Sequence, residues 1–166
     1  MLTNDDRIAA LEAIESIKSL KHGYWRACDA KDPEGFEASF IAEGAVIDYG
    51  PLGSFDDVKP MVEIFRNVAC KKVDGQYAVL DMHNGSHPEI ELTAHDTAVG
   101  RWSLRFRQVN TVERTETVSI GEYNDEYRFT DGAWRMSVCR FTPRWSITRP
   151  LGDDARIEEG IFDSRG

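Results

Sequence analysis

A chain of 166 residues, 41% hydrophobic and 30% charged, has the size and balance of one soluble globular domain, which buries roughly 70% of its unfolded surface. Its formal net charge of −9 repels phosphate backbones and anionic headgroups, which argues against nucleic acid and membranes as partners. No apolar run approaches the roughly 20 residues of a membrane span. The acidic start lacks the basic and apolar regions of an export signal, and Cys28, Cys70 and Cys139 are odd in number without CxxC spacing, so a cytoplasmic protein is expected.

In chain order, Asn4, Asp5 and Asp6 offer helix caps. Ile8, Leu11, Ile14, Ile17, Leu20 and Tyr24 then recur at steps of three and four, predicting a helix to about Ala30. Asp32-Pro33 predicts an N-cap and first-turn proline for a short second helix carrying Phe36 and Phe40. Ala45 to Tyr49 is strand-like and stops at Gly50-Pro51. A third helix is expected from about Phe55 to Val73, with Pro60 tolerated in its first turn.

From Tyr77 onward the chain turns β-rich, with strands expected at 77–82, 90–92, 98–109, 115–130 and 133–147. Asn84-Gly85 reads as a turn or bulge between the first two, and Asp131-Gly132 as a tight hairpin turn. Helices first and antiparallel strands afterwards make an α+β protein with helices gathered on one face of the sheet. Residues 1–148 are expected to form the domain and 149–166 a polar, mobile tail.

The layout resembles the SnoaL-like (NTF2-like) superfamily. Lys21 to Asp29 with Ala30-Lys31-Asp32, then Met82-His83-Asn84-Gly85, Pro88-Glu89-Ile90 and Thr97 to Trp102, are similar to the bile acid 7α-dehydratase branch, with scytalone dehydratases and hexachlorocyclohexane dehydrochlorinases as kin. The resemblance implies a cone-shaped, curved antiparallel sheet, an α+β barrel closed by the N-terminal helices. It implies no cofactor, and a homodimer or homotrimer. It places a catalytic aspartate at Asp29, a histidine at His83 and an active-site tyrosine at Tyr24, while a second acidic position of the bile acid enzymes falls on Phe106.

Histidine titrates near neutral pH and is a usable base, and a carboxylate on its other nitrogen fixes the tautomer and stabilises the imidazolium. A phenol at a carbonyl oxygen would stabilise an enolate. These roles fit His83, Asp29 and Tyr24 in a lyase, dehydratase-like or otherwise eliminating, acting on a hydrophobic cyclic, steroid- or polyketide-like substrate. Trp102, Phe106 and Met136 are expected to line the pocket, with Arg140 or Arg144 binding an anionic group.

Two other readings stand beside this one. In a ketosteroid-isomerase-like protein Asp48 would be the base; in a binding protein without chemistry, Tyr24 is a core residue and Asp29 a helix-end carboxylate. No phosphate loop or serine elbow occurs, and His83, His87 and His95 lack metal-ligand spacing, so neither nucleotide nor metal is expected.

Overall fold

The computed structural model describes residues 3–160. Helix α1 (Asn4–Asp29) starts at a capping box in which Thr3 accepts from the Asp6 amide and Asp6 from the Thr3 amide, satisfying two donors that the first turn leaves free. Its buried face is Ile17, Lys21, Tyr24, Trp25, Ala27 and Cys28. Ile8 and Leu11, counted in the predicted stripe, are exposed; only the second half of α1 packs on the sheet. Helix α2 (Pro33–Ala38) is capped by Asp32 with proline in its first turn, as expected.

Strands β1 (Val46–Asp48) and β2 (Ser54–Phe55) form a small antiparallel pair, so Phe55 belongs to a strand. Helix α3 (Val58–Ile64), capped by Asp57, widens into a π-helical turn over Phe65–Ala69. The predicted single helix is thus cut at both ends. A two-residue turn at Asp74-Gly75, both with positive φ, joins β3 (Lys72–Val73) to β4 (Gln76–Tyr77). That hairpin was not anticipated, although Asp-Gly is its ordinary signal.

Four long strands follow: β5 (Val79–Leu92), β6 (Thr97–Asn110), β7 (Thr115–Thr130) and β8 (Ala133–Pro150), with sheet order β2-β1-β8-β7-β6-β5. All neighbours run antiparallel except β1 and β8, which are parallel. The curved sheet stays open, because β2 and β5 remain edges. Asp131 and Gly132 both have positive φ and make the predicted β7–β8 turn.

Asn84-Gly85 is not a turn. Strand β5 runs straight through it in register with Arg105 and Leu104, and the irregularity falls between Ser86 and Glu89, where His87 has φ 52°. Gly85 instead makes room: a Cβ there would stand 1.9 Å from the Trp25 ring of α1. Part of the expected tail, 149–166, lies against the domain. The Arg114 guanidinium donates to the Gly152 and Ala155 carbonyls, and the Tyr77 amide donates to Glu159; residues 161–166 of that tail lie outside the described ones.

At the centre of the core, Lys21 of α1 and Asp125 of β7 form an ion pair, Nζ to Oδ2 2.8 Å, with both side chains 0% exposed. Nζ also lies 3.7 Å from the Tyr123 ring centroid, and Tyr127 donates to Asp125 while accepting from Trp102 Nε1. No helix among the described residues is long and apolar enough to cross a membrane.

Because removing one partner strands a buried charge, Lys21→Met is expected to lower unfolding free energy by about 3–5 kcal/mol. Combining it with Asp125→Leu should restore much of that loss, as read by urea unfolding.

Candidate active site

The site lies where the last turn of α1 crosses edge strand β5. Side chains alternate along β5, so Asp81, His83 and Gly85 face α1 while Met82 and Asn84 point the other way. The Asp29 carboxylate accepts twice from His83. The backbone N–H is 3.1 and 3.0 Å from the two oxygens, and ring Nδ1 is 2.5 Å from Oδ1. A carboxylate only accepts, so Nδ1 carries the hydrogen, and in the neutral form of the ring Nε2 presents the lone pair. Among the described residues Nε2 has no hydrogen-bond partner, and it is not among the buried unpartnered atoms. It is therefore open to an incoming group.

One side of the ring rests on Phe106, its cross-strand neighbour, at a centroid distance of 4.7 Å. Beside the pair opens a cleft of about 740 Å3 lined by His22, Trp25, Arg26 and Asp29 of α1 and by Met82, His83, Asn84 and Gly85 of β5. On α1, residues 22, 26 and 29 follow helical spacing and share a face. His22 is exposed, yet stacks on Trp25 and borders the cleft.

Other expected site residues lie elsewhere. Tyr24 faces the core, where its hydroxyl shares a 2.5 Å hydrogen bond with that of Tyr49, a partner the sequence reading missed. Burial among Tyr123, Cys139 and Cys28 holds both phenols well above their ordinary pKa. Trp102 is 1% exposed and packs edge-on against Trp25. Met136 is fully buried beside Lys21.

Asp48 and Arg144 do not line the cleft beside His83. Asp48 lies on the side of β1 opposite the buried Ile47, accepting from the Gly50 amide and facing Arg140 at 3.8 Å. Arg144 pairs with Glu122 at 2.7 Å, and that bond holds the Glu122 carboxyl below its ordinary pKa. One step of strand alternation separates Asp48 from the buried Ile47 and Tyr49, whereas Arg144 sits at the β8 register shift opposite Ile120 and Gly121 with exposed neighbours on either side.

The chain matches the SnoaL-like domain family over residues 9–140 and belongs to that family. Its fold is similar to a putative scytalone dehydratase from Novosphingobium aromaticivorans, at TM-score 0.72 and 20% identity over 92% of this chain and 99% of that one. It is also similar to a hexachlorocyclohexane dehydrochlorinase of LinA type 3 from Novosphingobium barchaimii, at TM-score 0.71 and 16% identity over 94% and 99% of the two chains. A cystatin-like protein of unknown function from Nostoc punctiforme follows at TM-score 0.60 and 17% identity, over 86% and 94%. At such identities these likenesses establish the shared α+β fold.

Burial pushes the Cys139 thiol up to about 12 and raises Cys28 as well, whereas Cys70 is raised while only partly buried. At mildly alkaline pH a disulfide reagent should therefore modify Cys70 alone in the native protein, and all three thiols after denaturation. Counting released thiolate by absorbance checks this.

Proposed function

We propose that the protein is a cofactor-free lyase of the eliminating type, with a hydrophobic cyclic carbonyl compound as substrate. The contact between Asp29 and His83 beside an accessible cleft carries this reading. His83 Nε2 takes a proton from carbon next to, or conjugated with, the carbonyl. Asp29 holds the ring and stabilises the imidazolium. The enolate then expels a β leaving group.

Trp25 supplies apolar contact for the ring system. Tyr24 was the expected donor to the carbonyl oxygen, but its hydroxyl is committed to Tyr49. In this reading the Arg26 guanidinium, on the cleft, takes that role and also replaces Arg144 as the cation for an anionic group.

Phe106 supplies no acid, so the imidazolium proton is the one at hand for the leaving group. Hydroxide then leaves only from the face His83 occupies, whereas halide or carboxylate needs no proton. In the binding-only reading the same cleft holds a ligand without chemistry.

The test is a panel of cyclic ketones bearing β-hydroxy, β-acyloxy or β-halo groups, assayed for the conjugated product and for solvent deuterium at the acidic carbon. His83→Ala is expected to lower kcat/KM by about 10²–10⁴, the usual worth of a positioned base, with the fold retained by circular dichroism. Asp29→Asn, which can hold the wrong tautomer, should fall in the same range. Tight retention of a panel member with neither product nor exchange would replace the lyase with a binding protein, and wild-type turnover in His83→Ala would remove the base.

A further inference from the structure

Two residues past Asp29, at the end of the same helix, Lys31 occupies the left-handed region at φ 59°, which a residue with a side chain adopts at a cost. Its side chain reaches β5 and pairs with Asp81, the two side chains being only 3% and 8% exposed. Asp81 stands two residues before His83 on the same face of β5, so the end of α1 meets the strand in two successive rungs, Asp29 with His83 and Lys31 with Asp81. The second carboxylate is fully occupied: Lys31 holds Oδ2, and Gln108, directly across on β6, donates to Oδ1 at 2.9 Å.

A buried ion pair is weak evidence for stability, since an apolar replacement of similar volume is often neutral. What it supplies is register. Asp81 lies roughly 6–7 Å along the strand from His83, near enough to compete as acceptor for the imidazole if its oxygens were free. We infer that Lys31 and Asp81 are positioning residues for the dyad: their pairing closes Asp81 to the imidazole and fixes the end of α1, so that His83 keeps Nδ1–H on Asp29 and turns Nε2 to the cleft. This rests on the reading of His83 as the base.

The test uses the full chain with ¹⁵N-labelled histidine and reads the His83 ring in ¹H–¹⁵N spectra at neutral pH, without substrate. The wild type should give one Nδ1–H tautomer with a protected, downfield proton. In Lys31→Met that proton should exchange about tenfold faster or more, as expected for loss of one charge-assisted hydrogen bond, and the second tautomer should appear. Lys31→Arg should restore the wild-type signature.

The double variant Lys31→Met with Asp81→Leu leaves no stranded charge. It keeps the test open if the single variant does not fold: with the competing carboxylate gone it should recover thermal stability and the single tautomer, while the Nδ1 proton, its helix end no longer fixed, still exchanges faster than in the wild type. A wild-type ring signature in that double variant, or in a folded Lys31→Met, overturns the inference and makes the pair purely structural. Since the spectra need no turnover, a failed lyase reading appears separately, as a wild-type ring in a protein that eliminates nothing from the panel.

Discussion

The ion pair between Lys21 and Asp125 sets the rest of the molecule in place. Two charges with no solvent exposure are tolerated only when they meet each other, and a slip of α1 by one residue would leave both stranded at a cost of several kcal/mol. That requirement selects one rotation of the helix against the sheet. With Lys21 pointed at the centre of β7, Tyr24 and Cys28, three and seven residues on, fall on the same inward face, where both are buried. Trp25 and Asp29, four and eight residues on, turn towards β5 instead, as the Trp25–Gly85 approach and the Asp29–His83 bonds require. The cleft is thus positioned by a contact that takes no part in it.

This pair was also among the features least legible in the sequence. Lys21 interrupts an otherwise apolar periodicity and Asp125 sits amid alternating polar residues of a strand, so each looks like a solvated side chain; only the tertiary meeting of the two reveals a buried pair. Caps and turns were easier, because they are decided by neighbours in the chain: Asp32-Pro33 and Asp131-Gly132 do as their local chemistry demands. Asn84-Gly85 carries an equally strong local signal and yet lies within a strand, since the Trp25 ring needs the space a side chain would take. The meeting of Asp29 with His83 was legible through family resemblance. The placing of Asp48 depended on a face that alternation alone leaves open, and Tyr49 was missed because the partner of a buried phenol lies 25 residues away.

Phe106 gives the site its chemical bias. An apolar ring lies against the imidazole and offers no second proton carrier, so under the proposed elimination acid and base work would pass through one nitrogen in turn. Such an elimination would favour a leaving group that departs as a stable anion or sits beside the proton removed.

Strand β5 is the rim of an open sheet, and His83 lies on it. Unpaired N–H groups along such a rim are a template for another chain's strand. The backbone N–H of His83 is instead covered by the Asp29 carboxylate, which sets a charge where a neighbouring strand would have to dock. The same carboxylate that steers the histidine therefore also discourages chains from pairing edge to edge, and selection for solubility and selection for a working site would act on this position together.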